Sequence, residues 1–129
     1  MSIHNPNIVR ARISKSEESL KMAEFAILNR YWNSAASELY YTCFYLITAL
    51  FEKHGIVAHT HSGVNSLFAR HFIKEGKLDR KWGKLFSNLL DTRQDGDYGD
   101  FAVISEEEVV TFFKEVQEFR LIILKLIEE

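Results

Sequence analysis

Residues 35–51 read AASELYYTCFYLITALF, a run whose only charge is Glu38. Ala36, Leu39, Tyr40, Cys43, Phe44, Ile47, Leu50 and Phe51 recur three and four positions apart, which is the period of an α-helix and not the alternation of a strand. The uncharged part, 39–51, is well short of the roughly 20 residues that a membrane span needs, so the stretch is expected to be a buried core helix of about 32–54, stopped by Gly55. A helix apolar over so wide an arc must be covered by neighbours.

The neighbours are visible on both sides. Asn5-Pro6 can open a first helix at about 6–29, because Asn caps free N–H groups and Pro at the first helical position sacrifices no hydrogen bond. Ile13, Leu20, Ala23 and Ile27 form its apolar stripe, with 15–19 facing solvent. Downstream, Ser62 is expected to cap a brief third helix bearing Val64, Leu67, Phe68 and Phe72 and ending at Gly76. A fourth, about 79–92, displays Trp82, Leu85, Phe86, Leu89 and Leu90, while 93–104, with two glycines and three aspartates, reads as a loop or loosened helix end. Ser105 and Glu108 make a Ser-x-x-Glu capping box that announces a long final helix with Val109, Phe112, Phe113, Val116, Phe119, Ile123, Leu126 and Ile127 on one face. Short links between such helices favour an all-α, up-and-down antiparallel four-helix bundle with an additional short helix, one domain over 1–129. Tyr31, Trp32, Tyr41 and Tyr45 fall off the main stripes; they either widen the core or pack against a second copy in a homodimer.

Composition narrows the function classes. With 47% hydrophobic and 26% charged residues the chain is globular and not disordered. A net charge of -2 provides no overall field to attract DNA or an anionic membrane, so neither is expected as a partner. Cys43, the only cysteine, cannot form an intrachain disulfide and suits a reducing cytoplasm, and the first residues lack the order of a secretory signal.

Three short segments carry a resemblance. Ala35-Ala36-Ser37-Glu38-Leu39-Tyr40-Tyr41 with Phe44, His61-Ser62-Gly63-Val64 with Phe68 and Phe72, and Arg93-Gln94-Asp95-Gly96-Asp97-Tyr98 stand in the order and spacing of the HEPN domains. The chain resembles that family over about 10–125, and its third segment is similar to the Arg-x-x-small-Asp-Tyr motif of one branch. The resemblance implies a helical bundle that commonly dimerises and a pairing with a minimal nucleotidyltransferase (MNT) in a toxin–antitoxin or related two-component system. It also implies a metal-independent ribonuclease in many members, where Arg holds phosphate and a His four to six residues on moves the proton. Imidazole titrates near neutrality and guanidinium grips phosphate in a fixed fork, so this division of labour is chemically sensible.

This sequence departs from that pair. Tyr98 stands where the histidine would fall, and no histidine follows His71. A phenol, with a reference pKa of about 10, is a poor base at neutral pH. Asp91, Asp95, Asp97 and Asp100 also oppose a phosphate at Arg93, whose plainer role is an ion pair with Asp97 or another acid at the helix end. The expectation is therefore a non-catalytic HEPN-type protein that binds an MNT-type nucleotidyltransferase and a nucleotide or RNA through Arg93, Asp97, Tyr98, His61 and Tyr41. The alternative is a ribonuclease using Arg93 with Tyr98, Asp97 or His61.

Other chemistry is poorly supported. Asp91, Asp95 and Gly96 match an EF-hand loop, but Arg93 and Ala102 occupy positions that require oxygen ligands. His54, His59 and His61 lack the spacing of a metal site, and Cys43 lies on the buried stripe, so no metal or other cofactor is called for. Neither phosphate-binding glycine motif occurs. Lys74, Lys77, Arg80, Lys81 and Lys84, with Arg70 and His71, form one basic neighbourhood that is either a solvated face or a contact for an acidic partner or an RNA backbone.

Overall fold

The computed structural model describes residues 5–98 and 104–129, with side chains described for all of these except 94–98. Five α-helices follow in order: α1 (Pro6–Leu28), α2 (Trp32–His54), α3 (His61–Phe68), α4 (Arg80–Tyr98) and α5 (Glu106–Glu128). No strand occurs among the described residues. After α3 the chain continues through Ala69–Ile73 as a π-helical turn, in which Lys74 N–H reaches the Ala69 carbonyl.

Helix α2 is the hub, as its sequence requires. Leu39, Tyr40, Cys43, Leu46, Ile47 and Leu50 have no exposed surface, and burial extends to Ala35, Ala36, Thr42, Ala49 and Phe51. Each fully buried leucine or isoleucine contributes about 1.5–3 kcal/mol. Thr42 avoids an orphaned hydroxyl by donating to the Glu38 carbonyl. Small residues of α1 (Ser16, Ser19, Ala23 and Ala26) face inward, which lets α1 approach α2 closely.

Ties at the helix ends fix the directions. Arg12 of α1 bonds the Thr48 carbonyl near the far end of α2, so the first two helices are antiparallel. Asn33 Oδ1 accepts from Ile104 N–H beside the starts of α2 and α5, and Lys53 donates to the Ile127 carbonyl beside their ends. Those two helices therefore run the same way, the second and last of an up-and-down bundle. Tyr40 stacks on Phe86, which brings α4 against α2.

Several local expectations change. The cap of α3 is Thr60, not Ser62: Thr60 Oγ1 accepts the Gly63 N–H at 2.9 Å, and Ser62 sits within the first turn. The capping box is present at Ser105, which accepts the Glu108 N–H, but the Glu108 carboxylate returns to the Ser105 hydroxyl. Helix α4 does not end at 92; it runs to Tyr98, so Arg93 stands on a helix and not in a loop. Aspartate and glycine are weak helix formers, but propensity yields to packing, and Arg93 is packed against α2.

Candidate functional site

The three segments that stood apart in the sequence meet in space. Tyr40, Tyr41 and Phe44 project from the middle of α2, His61 from the first turn of α3, and Arg93 from α4. The Tyr40 hydroxyl lies 2.6 Å from His61 Nδ1. Phe44 stacks under the imidazole at 4.6 Å, and the Tyr41 ring meets it edge-on at 6.1 Å. The Arg93 guanidinium covers both tyrosines, 5.4 Å from the Tyr40 ring and 5.1 Å from the Tyr41 ring. Aromatic faces hold a guanidinium by electrostatic attraction to the ring, and this orients it without neutralising its charge.

Local sequence explains each placement. Tyr40 and Phe44 are four residues apart on one face of α2, and Tyr41 is displaced by one position toward solvent. His61 is set by the Thr60 cap, and Gly63 is needed beside that cap because a Cβ there would lie 2.9 Å from Thr60 Oγ1.

The electrostatics select one protonation state. Burial holds His61 below the ordinary imidazole range, and the positive charge of Arg93 pushes it the same way. Burial also raises the Tyr40 phenol, an effect that Arg93 opposes only in part. At neutral pH both groups are therefore uncharged. With both groups neutral, one hydrogen lies between the phenol oxygen and Nδ1 and either can donate it: a donating phenol leaves the ring hydrogen on Nε2, and a donating Nδ1–H leaves Nε2 with its lone pair. A cation beside a neutral imidazole can receive a phosphate oxygen, and the ring can take a proton at Nε2 only in the tautomer whose Nδ1–H donates to the phenol.

Of the expected site residues, Arg93, His61 and Tyr41 are brought together. The side chains of Asp97 and Tyr98 lie outside the described residues, as do those of Asp95 and Gly96, and Asp100 and Ala102 lie outside them entirely. The proposed Arg93–Asp97 pair and the Tyr98 role therefore belong to undescribed side chains. Two members of the site are not among the expected binding residues: Tyr40, which is tied to the imidazole, and Phe44, which supports it, stand in the sequence as core positions and as part of the first resembling segment. A signal for Tyr40 existed, since a tyrosine in the centre of an apolar stripe needs a partner for its hydroxyl.

The remaining candidates contribute little chemistry. No group of His, Cys, Asp or Glu among the described residues could hold a metal ion. His54 packs edge-on against Phe72. Cys43 is completely buried, and burial raises its thiol far above the range of a nucleophilic thiolate. In the basic neighbourhood Lys77 pairs with Glu75 at 3.5 Å and Lys81 lies over Trp82 at 4.8 Å. No helix among the described residues is long and apolar enough to cross a membrane.

Comparison with known proteins agrees with the helical fold. The HEPN domain family matches residues 9–126. A UPF0332 protein of Thermotoga maritima is 34% identical over 115 residues, covering 89% of this chain and 87% of its own. Two proteins of Methanocaldococcus jannaschii that are named as candidate toxins also match. One is 34% identical across 74% of this chain and 65% of its own length, the other 26% identical across 94% and 90%. With its helical bundle and a family match spanning nearly the whole sequence, the chain belongs to the HEPN domain family.

Proposed function

We propose that this chain is a non-catalytic HEPN-type protein of a toxin–antitoxin-like or nucleotidyltransferase two-component system, acting as a cytoplasmic homodimer that binds an MNT-type nucleotidyltransferase and a nucleotide or RNA. One observation carries the reading. The imidazole beside Arg93 is His61, whose Nδ1 is engaged by Tyr40, and no histidine occurs downstream of His71. Such a site can hold phosphate through a cation, and the one imidazole beside that cation has a ring nitrogen committed to Tyr40. The names of the Methanocaldococcus relatives support a toxin-like setting.

A second reading, a metal-independent ribonuclease that pairs Arg93 with His61, is favoured by the proximity of those residues. The two separate in one experiment. Pure protein is incubated with a structured RNA and, in parallel, co-expressed with an MNT-type nucleotidyltransferase. Intact RNA and a co-purifying dimer are expected. RNA cleavage that disappears in Arg93→Ala, with the helical signal preserved, would replace the first reading by the second. Tyr41→Glu and Tyr45→Glu are expected to yield monomers by light scattering; an unchanged oligomer would place the interface elsewhere.

A further inference from the structure

His61 also lines a cleft of about 410 Å³ between α1, α2 and the connection to α3, within the range of roughly 300–1,000 Å³ common for small-molecule sites. Its lining combines two chemistries. Phe44, Phe51, Ile56 and Val64 supply rings and branched chains. Arg12 and Lys15 of α1 supply two cations against the single carboxylate of Glu52. The polar part is built in place: Arg12 donates to the Thr48 carbonyl at 2.8 Å and lies 3.8 Å from Glu52. Glu52 accepts from the Asn5 N–H at 3.2 Å, and the Lys15 ammonium sits 5.6 Å from the centre of the Tyr45 ring.

The combination restricts the ligand. Inorganic phosphate would leave the apolar part empty, and a sugar phosphate would set hydroxyls against rings and aliphatic carbons. A fatty acid would leave Glu52 facing carbon, which strands a charge. A planar heteroaromatic ring joined to a hydroxylated linker and a phosphate matches all three surfaces.

We propose that this cleft binds one nucleoside monophosphate unit, with the base against Phe44 and Ile56, a ribose hydroxyl donating to Glu52, and the phosphate on Arg12 and Lys15. The proposal rests on the reading that the chain takes a nucleotide or RNA, and it assigns that ligand a place apart from Arg93. His61 borders the cleft and is tied to Tyr40, whose ring lies beneath Arg93, so one side chain touches both places. The unit can be a free mononucleotide or the 5′-phosphorylated end of an RNA.

Isothermal titration of the full-length chain with AMP, adenosine, inorganic phosphate and a 5′-phosphorylated RNA tetramer tests this. AMP or the tetramer is expected to bind once per chain, and adenosine and phosphate at least about tenfold more weakly than the better of the two. Lys15→Glu, on an exposed residue, with its helical signal and Tm checked, is expected to weaken that binding by at least about tenfold, and Ala58→Trp, which fills the cleft, to remove it. Tighter binding of AMP identifies the free nucleotide as the source, and tighter binding of the tetramer identifies the RNA end. Binding unaffected by Lys15→Glu and Ala58→Trp overturns the cleft and leaves the nucleotide reading standing. No binding by AMP or the tetramer overturns the cleft together with the nucleotide part of the functional reading, while its nucleotidyltransferase part is decided independently by co-purification.

Discussion

Replacing Tyr40 by phenylalanine isolates the bond on which the site depends. The substitution keeps the ring that stacks on Phe86 and lies under Arg93, and it removes only the hydroxyl 2.6 Å from His61 Nδ1. A hydrogen bond of this kind has a net worth of about 0.5–1.5 kcal/mol, and a buried acceptor left without a donor costs about 1–3 kcal/mol. His61 is only half-buried, so water can recover part of that loss, and the expected destabilisation is about 1–2 kcal/mol. For a chain of this length that lowers Tm by about 4–8 °C. His61→Phe should cost a similar amount from the opposite side, because it leaves the Tyr40 hydroxyl in a fully buried position. In Tyr40→Phe/His61→Phe both polar groups are gone, and urea unfolding should show a double variant less destabilised than the sum of the singles by at least about 1 kcal/mol. Single costs that add to within about 0.5 kcal/mol would refute the tether as a stabilising contact.

Acidification provides a second check. His61 and His54 are both held below the ordinary imidazole value of 6.5, so each binds its proton more readily in the unfolded chain. Their contribution is complete above about pH 6.5 and lost as pH falls toward the depressed folded values, so Tm should drop on acidification through that window. His61→Phe should flatten part of the drop, and an unchanged profile would contradict the assignment. Thr60→Ala should cost about 1 kcal/mol by removing the cap of α3. Gly63→Ala should also destabilise, because its Cβ would meet Thr60 Oγ1 at 2.9 Å; joining the two substitutions removes the collision, so their costs by denaturant unfolding should sum to more than the cost of the pair. Arg93→Leu should lose about 0.5–2 kcal/mol through its two aromatic faces, and a neutral result would mean that Tyr40 and Tyr41 do not hold it.

The helices were legible because their signals are local. The period of 35–51 predicted a buried α2 over 32–54, and the structure gives Trp32–His54. Asn5-Pro6 opens α1 and Ser105 opens α5 where a cap and a helix-compatible proline stand in the sequence. Failures occur where neighbouring signals compete or where packing decides. Thr60 and Ser62 are both good caps two residues apart, and only the extended backbone of Thr60 selects it. The end of α4 differs from its expected place because Asp95, Gly96 and Asp97 are poor helix formers, and the contact of Arg93 with Tyr40 and Tyr41, which spans more than fifty residues, leaves no local signal. Tyr40 was taken for core for the same reason: its ring is core, and only the fold reveals that its hydroxyl meets His61.

That hydroxyl bears directly on whether the site can cut RNA. Cleavage requires a lone pair to accept the proton of the attacking ribose hydroxyl, and a neutral imidazole has one. Burial keeps the Tyr40 phenol protonated; when that phenol donates to Nδ1, the opposite nitrogen carries hydrogen and can only donate. For His61 to act as a base, the ring hydrogen must sit on Nδ1 and donate to the phenol oxygen, the other arrangement of the same 2.6 Å contact. For it to act as an acid, it must gain a proton beside Arg93, which lowers its affinity for one. Acting as an acid is thus opposed by Arg93, and acting as a base is confined to one of the two tautomers. The same contacts favour holding: a guanidinium over two tyrosine rings and an imidazole tied to one of them stand together where a phosphate can approach.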